Sequence, residues 1–433
     1  MKSFCLTAIL FAGALSIRAQ DAAPSNPAAF SLDEARVLAL RTHPRMTVAE
    51  LRAQAAQEAV IEARAGFFPT ISANATAVGT GEEVTRIAAG SLSNSQIYDH
   101  VGVGATASWI VTDFGRTGSL TEAARSRARA AEAGELATRS ELLLQVDAAY
   151  YAALEARAVK DVAARTLAAR QLLFDRTRTM AANQLKSELD VRFAQVGVDE
   201  ARLLADQADR DLQAALAALA YLVGRQAVLD VERFREPPLP ATLAPDYQSL
   251  VDLALRQRPE ILRQRAERDS AHSQAAAARD ARRPTVSVIG AAGVVPVGDE
   301  HFEHDFAAGG VNVNLPLFAG GLYRARQREA ELLARDADAA VQDQEEALAR
   351  SVRVAWLEAG HARERIALTA SLLQNSEAAL ALARARFDQG LSSIVELNQA
   401  ELAQTQAAIE HTTAEYDYRL RRDRLDFETG ALR

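Results

Sequence analysis

The chain is written twice, and proline marks the joints of each copy. Leu32-Asp33-Glu34-Ala35-Arg36-Val37-Leu38-Ala39-Leu40-Arg41-Thr42-His43-Pro44 is a short amphipathic segment stopped by proline. Leu250-Val251-Asp252-Leu253-Ala254-Leu255-Arg256-Gln257-Arg258-Pro259 repeats it, and Pro44 to Pro259 is 215 residues. Pro69 to Pro284 is again 215, in Phe67-Phe68-Pro69-Thr70 and Arg282-Arg283-Pro284-Thr285. Further on the offset is 206, pairing Tyr150 with Trp356, Asp190 with Glu396 and Gly224 with Gly430. A period near 200 residues is a duplication, not a solenoid of short repeats. No proline falls between 70 and 236 or after 316, so long unbroken helices can form in both spans.

Those spans read as helix. Ala, Leu, Glu, Arg and Gln dominate, all strong helix formers. An apolar seam runs Val191, Ala194, Val198, Ala201, Ala205, Ala208, Leu212, Ala215, Leu219, Leu222, with heptad spacing. Leu373, Ser376, Leu380, Ala383, Phe387 and then Val395, Asn398, Leu402, Thr405, Ile409 keep it in the second copy. The same spacing suits a four-helix bundle. The pattern predicts long helices over about 116–182 and 186–223, then about 320–388 and 392–428. The longer of each pair would reach ~100 Å at the helical rise. Asn183-Gln184 and Gln389-Gly390 interrupt the pattern at matched sites, so the expected shape is a rod with two hairpin tips at one end.

Elsewhere the period changes to two. Strands are expected at about 69–79 and 99–113, and at about 284–297 and 306–317. Ile71, Ala73, Ala75 and Ala77 alternate with Ser72, Asn74 and Thr76, and Val311 and Val313 with Asn312 and Asn314. Apolar-out, polar-in strands of this length are the transmembrane β-barrel pattern, although a half-buried soluble sheet alternates in the same way. Trp109, Phe114, Phe318 and Tyr323 stand at the strand–helix junctions, where an interfacial aromatic girdle would lie. Four strands are fewer than the eight of the smallest barrels, and lipid tolerates no open sheet edge. Closure therefore needs several chains. Two chains would give eight strands and a filled interior, whereas three would give twelve and a pore.

Composition narrows the function. The chain has 433 residues, 49 Lys plus Arg against 57 Asp plus Glu, and net charge −8, which leaves no basic excess for nucleic acid. Lys2, the apolar run Phe4 to Ile17 and the small residue Ala19 read as a secretory signal peptide over 1–19. Its removal takes away Lys2, Arg18 and the only cysteine, Cys5, leaving net −10 and no thiol chemistry. No nucleophile–base pair or phosphate loop can be placed, and Gly102-Val103-Gly104 lies inside a strand rather than at a helix start, so no enzyme is expected. Glu300-His301-Phe302-Glu303-His304-Asp305 holds two histidines three apart, but in a hairpin turn, and reads as a solvated outer loop rather than a metal site.

The paired Leu-x-x-Ala-Leu…Pro segments, Phe68-Pro69-Thr70-Ile71-Ser72, Thr112-Asp113-Phe114-Gly115-Arg116, Leu317-Phe318-Ala319-Gly320-Gly321 and Arg386-Phe387-Asp388-Gln389-Gly390-Leu391-Ser392-Ser393-Ile394-Val395-Glu396-Leu397 occur in this order. With these motifs the chain resembles the TolC family of outer-membrane channels over about residues 30–430. The resemblance implies a mainly α fold with a small β part. Its homotrimer would have a long antiparallel coiled-coil α-barrel and a twelve-stranded transmembrane β-barrel, four strands per chain. It implies a first repeat at 20–224, an equatorial linker at 225–248 and a second repeat at 249–433. The expected setting is the outer membrane of a Gram-negative bacterium, with a helical extension into the periplasm. The expected partners are outer-membrane lipid, a periplasmic adaptor and an inner-membrane transporter of the RND, ABC or MFS type. The expected role is a passive conduit without cofactor for efflux or type I secretion. Asn183, Gln184, Gly390, Leu391 and Ser392 would form the adaptor-contact tips. Glu396 would ring the periplasmic entrance, and Gln399 follows it one turn on. Phe387 and Ser392 offer no charged link to hold that entrance shut. A periplasmic adaptor-like coiled coil of an export system is the competing, equally non-enzymatic reading.

Overall fold

The computed structural model describes residues 30–79, 85–88, 94–97, 100–224, 229–240, 243–298 and 304–432. The expected signal peptide and most of the Glu300–His304 loop lie outside them.

The duplication is carried into three dimensions with little change. In the first copy α1 (Leu32–Thr42) and α2 (Pro44–Ala65) precede the strands, and α3 (Arg116–Ala182) and α4 (Glu188–Leu222) follow them. In the second, α5 (Gln248–Gln257), α6 (Pro259–Asp280), α7 (Leu322–Asp388) and α8 (Ile394–Glu428) stand in the same places. Both long helices have 67 residues and both return helices 35. The single helix expected ahead of each strand pair is two, because Pro44 and Pro259 sit at the first turn of α2 and α6, where the missing N–H costs nothing. The return helices begin two residues later than expected, at Ser187 and Ser393, whose hydroxyls accept from Asp190 N and Glu396 N as N-caps.

Packing at any level places four helices side by side. In the half nearer the strands the order is α2-α3-α6-α7, and in the tip half it is α4-α3-α8-α7. The two long helices run through both halves while α2 and α6 hand over to α4 and α8. At the handover Tyr150 and Trp356, equivalent in the two copies, each pin a connecting strap. The Tyr150 hydroxyl donates to Phe30 O at 2.8 Å or Arg235 O at 2.7 Å, and Trp356 Nε1 to Ala244 O at 2.9 Å. The expected linker at 225–248 carries a short 3-10 turn at Val231–Arg233 and a bridge from Phe234 to Phe30. The largest apolar core gathers here, around Leu142, Val146, Leu154, Leu219 and Phe234.

The seam expected on α4 is buried at Ala194, Val198, Ala201, Ala208, Leu212, Leu219 and Leu222. On α8 the expectation needs correction. Val395 and Leu402 are exposed, and the buried residues nearest the tip are Ile394, Leu397 and Glu401. A wall helix has two neighbours and so two seams. Ile394 and Leu397 pack with Phe387 and Leu380 of α7, while Asn398 and Thr405 meet Arg170 and Thr166 of α3.

Six strands form among the described residues: β1 (Thr70–Val78), β2 (Thr85–Ala88), β3 (Asn94–Ile97), β4 (His100–Thr112), β5 (Thr285–Gly298) and β6 (Asp305–Asn314). β6 ends before Pro316 instead of reaching 317, since proline has no N–H for the ladder. The main sheet is antiparallel in the order β1-β4-β5-β6, and β2-β3 is a separate two-stranded ribbon within the first hairpin.

Candidate functional site: a two-faced sheet on a helical wall

Register sorts the main sheet into two chemically different faces. Ile71, Ala73, Ala75 and Ala77 lie opposite Ala107, Ala105, Val103 and Val101. That face continues through Val288, Ala292, Val294 and Val297 of β5 to Val311 and Val313 of β6. The other face carries Thr70, Ser72, Asn74 and Thr76 against Ser108, Thr106, Gly104 and Gly102, then Ser287, Asn312 and Asn314, with Ile110, Ile289, Ala291 and Phe306 among them. Ser72 Oγ and Thr106 Oγ1 are hydrogen-bonded at 2.8 Å across it. Most strand residues are exposed on both faces, so no layer of the same chain covers either one. The edges are also open. β1 and β6, the outer strands, run in opposite directions and have no further partner among the described residues.

The strand–helix junction carries the expected aromatics. Phe318 is 91% exposed, Trp109 and Phe114 are about half exposed, and Tyr323 is partly covered. Trp109 Nε1 donates to Phe67 O at 2.9 Å. Phe67, Phe68 and Leu317 belong to the same belt. Sequence reading passed over them because the strand pattern begins only after Phe68. Phe114 holds a positive φ of 53° ahead of Gly115, and Gly115 and Gly321 start the two long helices in the left-handed region.

At the other end the two tips are near copies. Gln184 and Gly390 both have positive φ, 60° and 74°. Leu185 and Leu391, the next residues, both point into solvent. Asn183 caps α3 at its C-terminus, with its side chain donating to Thr179 O. Ser392 Oγ is buried without a partner. Phe387 is buried under Lys186, whose Nζ lies 3.9 Å from the ring centroid and ties the first tip to the second.

Charged links do exist near the second tip, and all but Glu396 come from residues the sequence did not single out. Glu396 lies 3.4 Å from Arg386 of α7, and Gln399 is exposed one turn further along. Deeper, Arg170 of α3 and Glu401 of α8 form a pair at 2.8 Å, 7% and 5% exposed. Arg170 also donates to Asn398 Oδ1 at 2.7 Å, and Arg384 of α7 reaches Glu401 at 3.2 Å. Three of the four helices at this level are joined by that cluster. The only available sequence signal was a charge, Glu401, at a position whose neighbours Leu397 and Thr405 lie on buried faces.

No group of three or more His, Cys, Asp or Glu side chains that could hold a metal occurs among the described residues, and no described helix is long and apolar enough to cross a membrane. A sheet with one apolar and one polar face, belted by aromatics and standing on a four-helix wall, defines one protomer of an outer-membrane channel. The chain belongs to the outer membrane efflux protein family, which it matches twice, over residues 35–225 and 250–431, once for each copy. It is 27% identical over 358 residues to outer membrane protein OprJ of Pseudomonas aeruginosa, covering 81% of this chain and 73% of that one. It is 24% identical over 399 residues to outer membrane protein TolC of Vibrio cholerae, covering 87% and 85%. Its fold superposes on the crystal structure of the outer membrane protein VceC from Vibrio cholerae with a TM-score of 0.78 at 22% identity, over 92% of this chain and 96% of that one. It is thus an outer-membrane channel component of the tripartite efflux and type I secretion class. The adaptor-like alternative has no use for the two-faced sheet.

Proposed function

We propose that three copies of this chain close into a passive conduit from periplasm to exterior, docked at its helical tips to a periplasmic adaptor and through it to an inner-membrane transporter. The observation that carries this reading is the four-stranded sheet with both faces bare and both edges open. Because β1 and β6 run in opposite directions, β6 of one chain can pair antiparallel with β1 of the next. Each junction repeats the up-down alternation, and three copies give twelve strands. The apolar face then meets lipid and the Ser, Thr and Asn face lines water. Leu185 and Leu391, exposed in both tips, offer the apolar contact that an adaptor would cover. In this reading the transport energy is supplied by the inner-membrane partner.

Glu396 would place three carboxylates at the entrance, each beside its own Arg386. The paired guanidinium tempers the field that the ring can exert on ions. Single-channel recording in planar bilayers tests this. Glu396→Gln should lower cation selectivity, and Arg386→Gln should raise it. Unchanged selectivity in both variants would leave the ring without a role.

A further inference from the structure

Below the aromatic belt the charge is lopsided. The segments 64–70, 112–118, 279–285 and 315–328, which join sheet to helices and take in the first two turns of α7, contain Arg64, Arg116, Arg279, Arg282, Arg283, Arg324, Arg326 and Arg328 against Asp113 and Asp280, with Glu329 and Glu331 following directly. Both acids are engaged: Asp113 accepts from Thr117 N and Thr117 Oγ1, and Asp280, itself buried, lies 3.4 Å from Arg283. In a chain of net charge −8, this short band carries +6. Arg64, Arg324 and Arg328 are exposed and make no ion pair with a described carboxylate.

Chirality decides which way the arginines of α7 point. The Val295 N–H donates to His304 O at 2.8 Å, so residues of β5 on the polar face turn their backbone groups towards β6. For L-residues on a strand running away from the helices, this sets β6 to the left of β5 as seen from the apolar side. α7 hangs below β6, and its Gln327 meets Arg282, just past the end of α6, while its Asp338 and Glu345 meet His272 and Arg265 of α6, all on its right. Looking down α7 from its N-terminus, residues advance clockwise by about 100° each. Arg328, one step beyond Gln327, therefore lands on the apolar, outward side, and Arg324 lies one turn above it. Arg326 falls on the opposite side, towards the lumen.

Depth points the same way. From Phe318 to Arg324 and Arg328 the chain descends by about one to two helical turns, roughly 5–15 Å. That is the layer where phosphates sit beneath a hydrocarbon boundary. We propose that Arg324 and Arg328, under the exposed Phe318 and Leu317, bind the phosphate headgroups of anionic phospholipids in the inner leaflet of the outer membrane. This rests on the membrane-spanning reading of the sheet and adds a lipid preference to it.

The test is native mass spectrometry of the detergent-solubilised protein titrated with phosphatidylglycerol or phosphatidylethanolamine. The wild type should retain phosphatidylglycerol preferentially. Arg324→Gln/Arg328→Gln should lose about five- to twenty-fold of that preference, at about fivefold per surface arginine. Arg324→Lys/Arg328→Lys should keep most of it, and Arg363→Gln, on an exposed face of α7 far from the belt, should keep all of it. Inorganic phosphate at millimolar concentration should not displace the lipid, because it lacks the acyl chains that Phe318 and Leu317 contact. Equal retention of the two lipids by the wild type, or an undiminished preference in the double glutamine variant, would overturn the proposal. So would displacement by phosphate, or an equal loss in Arg363→Gln. Channel conductance measured on the same samples reports separately on the conduit, so a lost lipid preference with normal conductance counts against this site alone.

Discussion

Asp423 of α8 carries the clearest pH response outside the sheet. Burial and the nearby Asp147 push its carboxyl up to about 7, against an ordinary 3.8. Arg36 of α1 cannot serve both acids equally. It gives Asp147 two bonds, at 2.7 and 2.8 Å, and stands 3.9 Å from Asp423. Tyr151 of α3 and Asp426 of α8 complete the surroundings. A carboxyl whose folded pKa is raised holds its proton more tightly in the native state, so its contribution to stability falls as pH climbs from about 4 to about 7 and is then constant. The swing is at most about 4 kcal/mol. Asp423→Asn should remove it, which the difference between wild-type and variant denaturation midpoints at pH 5 and pH 8 will show. At the tips, Gln184 holds a left-handed backbone that favours glycine. Gln184→Gly should slow amide exchange across residues 179–190, and Gly390→Ala should speed it at the second tip, each by roughly 1 kcal/mol of local stability.

The helices differ in how their seams are glued. α4 meets α3 along alanine, valine and leucine, whereas α8 meets α3 through Asn398, Glu401, Thr405 and Asp423. The Arg170–Glu401 pair is the costliest member to break singly, since a buried charge left alone has lost its water and its partner. Glu401→Leu should destabilise the α7–α8 hairpin by about 3 kcal/mol. Arg170→Met/Glu401→Leu should recover most of that loss, with both read as protease resistance of the tip half. A double variant as weak as the single one would mean that the cluster acts through packing alone.

For the whole molecule the decisive feature is the unpaired sheet. Single cysteines on β1 and β6 can be introduced without interference in a Cys5→Ser background, since Cys5 is the only cysteine of the chain. Pairs on the polar face, such as positions near Ser72 with positions near Asn312, should give disulfide-linked trimers on oxidation, read by denaturing electrophoresis. Monomers at every pair tested would reject closure through these edges. The strands are also long enough for the membrane: β5 keeps its apolar face from Val286 to Val297, which at strand rise and barrel tilt spans roughly 25–30 Å.

Helix length, strand alternation and the matched tips were legible in the sequence because each depends on local period or on a single backbone-sensitive residue. Proline placed the joints, and Asn183-Gln184 and Gln389-Gly390 placed the tips; the serine N-caps that start the return helices were not foreseen. Even so, β2 and β3 went unforeseen inside a Gly- and Ser-rich hairpin, since four-residue strands leave too few alternations to read. Which seam α8 buries, which acid Arg36 favours and where Arg170 finds Glu401 were settled only by the tertiary structure. These partners stand more than 100 residues apart, and a helix with neighbours on two sides leaves two stripes that one apolar pattern cannot tell apart. The outward aim of Arg324 and Arg328 was also beyond sequence. It follows from the hand of the sheet and the phase of α7, which exist only once the strands have paired.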